Sequence, residues 1–190
     1  MELILHEKGM IWIIAIILHL LFVMVGMGSA IISDILFSFF SKDKKIDTKE
    51  DSVLVVLSNT IWVSLIGMLV TGFLLFLHNP ERYGSSPDFL SKMSMVIILI
   101  LNGIIFALYI HPNLRNISFT DTNNTHRLVR VRRISFACGA LSITTWLSIF
   151  TLALIDKITL TYTEIMATYG VVVISAMLLS QVIDRLQAKR

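Results

Sequence analysis

Hydrophobic and polar positions along this chain segregate in whole segments. Five long apolar stretches, at about 10–40, 53–77, 89–110, 134–155 and 163–183, are separated by shorter polar ones. The hydrocarbon core of a bilayer, roughly 30 Å thick, is crossed by about 20 apolar residues in α-helical form. Each stretch therefore predicts one membrane span. Backbone polar groups in lipid must be satisfied within the segment itself, so the expected fold is all-α: a membrane helical bundle of five transmembrane helices, forming a single transmembrane domain over residues 1–190. The first stretch is longer than the bilayer needs and predicts a helix that tilts or projects. Asn79-Pro80, Gly84-Ser85-Ser86-Pro87 and His111-Pro112-Asn113 punctuate the links. Pro112 removes a backbone donor and restricts His111, which ends span 3.

An internal repeat is visible. Span 2 contains Ser58-Asn59-Thr60-Ile61-Trp62-Val63-Ser64-Leu65 and span 4 contains Ser142-Ile143-Thr144-Thr145-Trp146-Leu147-Ser148-Ile149. Both read S-x-T-x-W-x-S followed by an aliphatic residue. Spans 2–3 and 4–5 are then expected to be two copies of one hairpin, related by an axis along the membrane normal, with span 1 added. Small residues of span 1 at four-residue spacing, Gly26 with Ala30 and Ser29 with Ser33, predict close helix approach. Gly67 with Gly72, and Gly139 with Ala140, do the same.

Composition narrows the class. Hydrophobic residues make up 55% and charged residues 15%, against about 25% charged in a soluble domain. An ordinary soluble enzyme, a disordered chain and a nucleic-acid binder are thereby excluded. The net charge of +3 is a topology signal. Lys42, Lys44, Lys45, Lys49, Arg115, Arg127, Arg130, Arg132, Arg133, Arg185, Lys189 and Arg190 fall on one side of a five-span arrangement. Lys8, Arg82, Lys92 and Lys157 fall on the other. Bases collect on the cytoplasmic side, which places the N-terminus outside and the C-terminus inside. Glu2, Glu7 and the lone Lys8 make no basic leader, and the apolar run that follows outlasts the ~7–15 residues of a signal-peptide core; it reads as a first span that also directs insertion. The single Cys138 excludes an internal disulfide.

Ionisable groups in lipid are costly and mark functional positions. His19 lies about nine residues below the outer edge of span 1, roughly 14 Å deep at 1.5 Å per residue. It is the leading candidate for a ligand or proton carrier. Lys92, about one turn into span 3, either anchors the helix at the interface or extends towards His19. Glu164 opens span 5 at a similar depth, either as a group with a chemical role or as a simple helix N-terminal acid. With Arg82 and Tyr169 these residues define an expected outer-half polar pocket. Asp34 and Asn59 are placed to bond one another, and Asn102 to act as interhelical glue. His78 and His111 sit at the boundaries, and His6 and His126 outside them. None matches the depth of His19, so a bis-histidine haem within one chain is not expected. Met68 does fall near that depth, leaving open a His/Met site or a five-coordinate haem. Met24, Met27 and Met68 are the candidate copper ligands. No C-x-x-C, H-E-x-x-H, P-loop or G-x-S-x-G motif is present. Asn116-Ile117-Ser118 is a glycosylation acceptor pattern on the inner side and is set aside.

His19, the glycines Gly26 and Gly28 after it, Pro87, Phe89 and Lys92 at the start of span 3, Asn102-Gly103, and the closing His111-Pro112 together form a pattern over roughly residues 10–112. It resembles small bacterial membrane proteins related to the copper-resistance D family. It is similar also to the membrane-embedded, haem-containing protoporphyrinogen oxidase family. The resemblance implies a multi-pass protein of the bacterial inner membrane. It also implies a functional His–Lys pair corresponding to His19 and Lys92. The expected function is thus binding of b-type haem in the outer-half pocket, with His19 as ligand, Met68 and Tyr169 beside the cofactor and Lys92 and Glu164 as catalytic groups, serving electron transfer or porphyrinogen oxidation. The alternatives are a transport component for copper or another small solute, and an accessory subunit. The accessory subunit would pack on a second copy or a larger membrane complex through the small-residue face of span 1.

Overall fold

The structure is a computed structural model that describes residues 2–40, 47–116, 126–155 and 159–187. Loop bases Lys42, Lys44, Lys45, Lys157, Lys189 and Arg190, and Ser118 of the acceptor pattern, lie outside the described residues, as do the side chains of His6, Lys8, Arg115, Arg127 and His126. Six helices follow one another: α1 (Glu2–Phe40), α2 (Thr48–His78), α3 (Pro80–Gly84), α4 (Pro87–Ile105), α5 (His126–Leu154) and α6 (Tyr162–Gln187). The described residues contain no strand. All but α3 are long and apolar enough to cross a membrane, and no more than 28% of the most apolar stretch of any of them is buried inside the chain. The remaining apolar surface has nowhere to go but lipid. The molecule is a multi-pass membrane protein with an all-α fold.

Local chemistry explains the ends. Asp47 caps α2, and the Glu50 carboxylate accepts from the Asp47 backbone N–H at 2.8 Å, completing a capping box. Asn79 accepts from the Arg82 backbone N–H, and Pro80 follows it at the first helical position, so the expected link contains the single turn α3. Span 3 does not stop cleanly at Pro112. Phe106–Ile110 forms a π-helical turn and His111–Asn116 a 3₁₀ turn. Pro112 cannot supply an N–H to Leu108, and its ring crowds that carbonyl, so the helix widens just ahead of it.

Helices α1 and α2 form a tight antiparallel hairpin. Trp12 stacks on His78 with centroids 5.1 Å apart, His19 bonds Thr71, and Phe22 lies where a Cβ on Gly67 would be. Gly26 faces Ser64 and Trp146. Pairs advance along one helix as they recede along the other. Helix α5 is central. Its Trp146, 0% exposed, meets Gly26 of α1. Asn102 of α4 donates to the Cys138 carbonyl at 3.0 Å, and Arg132 binds Asp184 of α6 at 2.7 Å. The main core gathers Leu65, Met68, Met95, Leu99, Trp146 and Tyr169. A smaller one at the other end holds Phe37, Leu54, Ile110, Val131, Phe136 and Cys138.

The two motif copies of the internal repeat are not used alike. Trp62 packs over Gly103 of its own hairpin partner, whereas Trp146 is sealed against Gly26 of α1. The added first helix breaks the equivalence, because it takes α2 and α5 as neighbours. It also uses up its own small-residue face. Gly26, Ser29 and Ala30 are turned into the chain, so the face assigned to an outside partner is occupied internally.

The Arg132–Asp184 pair ties the start of α5 to the end of α6, with Asp184 only 1% exposed. Removing one member of a buried pair costs about 3–5 kcal/mol, because the other charge is left uncompensated. Arg132→Met is expected to lower the unfolding temperature in detergent steeply, and Arg132→Met with Asp184→Leu to restore much of the loss. Thermal unfolding followed by tryptophan fluorescence makes the comparison.

Candidate functional site

His19 is half-buried on the face of α1 that meets α2. Its Nδ1 lies 3.1 Å from the Met68 carbonyl oxygen and 3.0 Å from Thr71 Oγ1. A carbonyl only accepts, so Nδ1 carries the proton. Thr71 spends its own hydroxyl hydrogen on the Gly67 carbonyl at 2.7 Å and has an oxygen lone pair left for His19. In the neutral ring Nε2 is then the basic nitrogen, and it has no hydrogen-bond partner among the described residues. This is how ligating histidines are oriented, one nitrogen held by the protein and the other free. Gly72 makes room: a Cβ there would meet His19 Cε1 at 3.2 Å. Sequence reading assigned Gly67 and Gly72 to packing alone. Their places directly before Met68 and directly after Thr71 give them a positioning role as well.

Lys92 binds Asp88 one turn earlier on α4 at 2.6 Å, with both side chains partly exposed. It makes no hydrogen bond with His19. Met68 meets His19 through its backbone, and its side chain is buried in the main core. Tyr169 is buried on α6 with its hydroxyl 2.8 Å from Thr145 Oγ1. Thr145 gives its hydrogen to the Leu141 carbonyl, so Tyr169 is the donor. Glu164 is exposed and closes a capping box with Thr161, accepting from the Thr161 backbone N–H and hydroxyl, each at 2.8 Å. The structure thus joins His19 to the Met68 carbonyl and pairs Lys92 with Asp88 on its own helix. It leaves Tyr169 between α5 and α6, and Glu164 and Arg82 at exposed helix starts. Asn59 is exposed on the lipid side and lines an apolar groove. Asp34 turns instead towards Gly139 of α5, so the expected Asp34–Asn59 bond is not made. Asn102 does act as interhelical glue.

The cofactors can be tested against this geometry. Of the two described cavities, the larger, about 440 Å³, is a groove lined by Leu18, Leu21, Phe22, Val25, Val56 and their neighbours on α2, and His19 is not among its lining residues. The smaller, about 70 Å³, lies further along α1 around Asp34. Neither cavity therefore presents His19 to an enclosed porphyrin. Soft copper ligands do not converge either, since Met24 is exposed while Met68 is buried in the core. Among the described residues no three of His, Cys, Asp or Glu cluster, so no site of the kind that holds a transition metal is formed.

Two polar features were not assigned a role from sequence. Arg132 reads as one of many inner-side bases, yet it is buried against Asp184. Their level positions at the same end of two consecutive antiparallel spans were the available signal. The second feature is the small cavity itself, where Asp34, Ser58, Asn102 and Ser142 come together from four helices. Comparison with family models, curated proteins and solved structures finds no match to this chain.

The hydrogen bonds to Met68 and Thr71 fix one tautomer. Nitrogen-15 NMR of the histidine-labelled protein in micelles is expected to show His19 protonated on Nδ1 and bare on Nε2 at neutral pH. Gly72→Val is expected to abolish that signature by displacing the ring. A wild-type ring protonated on Nε2 would contradict the arrangement.

Proposed function

We propose that this protein handles a small cation, a proton or a metal ion, within its helical bundle as a component of membrane solute transport. One observation carries the reading. Helix α1 holds both of its mid-membrane ionisable side chains, His19 and Asp34, turned towards other helices of the chain. They are fifteen residues apart, about 22 Å of helix at 1.5 Å per residue, and within about 60° of one another around its axis. Such groups are retained in lipid only where they do work or are compensated. His19 offers a free Nε2 in the half assigned to the outside, and Asp34 an unpaired carboxylate oxygen in the half assigned to the inside. Each is a station where a cation can be held away from bulk water.

A second reading keeps His19 as the axial ligand of a b-type haem seated at the lipid-facing surface or between two copies of the chain, for electron transfer or porphyrinogen oxidation. The free Nε2 favours it, and the want of an enclosed chamber weighs against it. An optical spectrum decides: a Soret band lost in His19→Ala supports this reading, and a colourless protein removes it.

Reconstituted vesicles loaded with a pH-sensitive dye test the transport reading. Under an imposed cation gradient, ion movement is expected to exceed that of protein-free vesicles. His19→Ala and Asp34→Asn are each expected to bring it down close to the level of protein-free vesicles, since each removes one of the two proposed stations. Movement no faster than in empty vesicles would overturn the reading.

A further inference from the structure

We propose that the inner-half cavity enclosed by α1, α2, α4 and α5 is a binding site for one small monovalent cation, sodium-like in size, with the Asp34 carboxylate as its charged ligand. The cavity measures about 70 Å³ and is lined by Ser33, Asp34, Ser58, Asn102, Gly139 and Ser142 among apolar walls. Asn102 is 6% exposed. Its Nδ2 is committed to the Cys138 carbonyl, which fixes the amide and leaves Oδ1 buried with no donor. Asp34 Oδ2 is likewise buried with no donor. Buried acceptors are normally satisfied, and here two residues that line one small space each keep a buried oxygen with no donor.

No Lys, Arg or His lines the cavity to supply the missing positive charge. The three serine hydroxyls add oxygens that can accept metal coordination, so the donor set is hard and all-oxygen, the kind that alkali and alkaline-earth ions take. One carboxylate balances one positive charge. Calcium usually gathers several carboxylates and carbonyls, and magnesium keeps a shell of waters. At about 70 Å³ the cavity has room for a small cation together with the waters that complete its shell. Gly139 completes the cradle, because a Cβ at that position would stand 2.7 Å from Asp34 Oδ1.

This site deepens the cation-handling reading and rests on it for its purpose, but binding can be measured without transport. The purified protein in detergent is unfolded by heat in sodium chloride or in choline chloride at matched ionic strength. A ligand bound only by the folded state raises the unfolding temperature in a saturable way. Sodium is expected to raise it by several degrees over choline. Asp34→Asn is expected to abolish the increment, Gly139→Ala to weaken it by pushing the carboxylate aside, and Gly28→Ala, where a Cβ meets nothing, to leave it intact. Isothermal titration of sodium chloride into wild type and Gly139→Ala keeps the test open if Asp34→Asn fails to fold. No sodium-specific increment, or one that survives in Asp34→Asn, would overturn the proposal; so would an unfolding temperature that responds to Asp34→Asn and to pH but not to the cation, since a simple protonated carboxyl then occupies the cavity. A sodium increment without transport in vesicles would retain the site and refute the transport reading alone.

Discussion

The setting of His19 depends on how closely α1 and α2 approach. Lipid tails are as apolar as leucine, so apolar contact alone gives helices little reason to associate in a membrane, and close packing of small residues takes over. Gly26, Gly67 and Gly72 supply the near approach. A ring on one helix then fills the space a side chain would have taken on the other. Phe22 occupies the space over Gly67, Trp146 that over Gly26, and His19 that over Gly72. His19 reaches the Met68 carbonyl only because nothing stands between the two backbones. The same steric economy makes the pair rigid, and rigidity is what gives the imidazole one defined tautomer.

Helix α5 plays the complementary part. It touches α1 through Trp146, α4 through Cys138 and α6 through Arg132. Glycine recurs where the fit is tightest: Gly139 admits the Asp34 carboxylate as Gly26 admits Trp146. The polar contacts of the bundle are therefore consequences of missing side chains as much as of present ones.

Much of this was legible in the sequence. Apolar run lengths give the five membrane helices, because bilayer thickness is an external ruler. The depth and isolation of His19 mark it as a polar centre, and Asn102 reads correctly as a bond between helices. What was not legible depends on rotation about helix axes. Asn59 and Asp34 lie near the same end of adjacent spans, yet one is exposed and the other turns to α5. Run length carries no phase, and α1 and α2 are too uniformly apolar to supply one. Glu164 is a different case: Thr161-Tyr162-Thr163-Glu164 has the spacing of a capping box, so its place as a helix N-terminal acid could be read from sequence alone. The cavity escaped because its four polar walls come from four helices, and no single stretch of sequence contains it.

The π-helical turn at Phe106–Ile110 has an effect on the stretch of chain that precedes it. Asn102 and Ile110 are eight residues apart, which in a uniform α-helix separates them by about 80° around the axis. A π turn accommodates one extra residue, so the pair is spaced as though by seven, close to two whole turns. Both then face α5, Asn102 at Cys138 and Ile110 in the cluster with Val131. The widened turn works as a phase corrector. It lets one strip of helix satisfy both an amide in the cavity wall and an apolar plug nearer the membrane surface, a pairing that side-chain choice alone cannot achieve at that spacing.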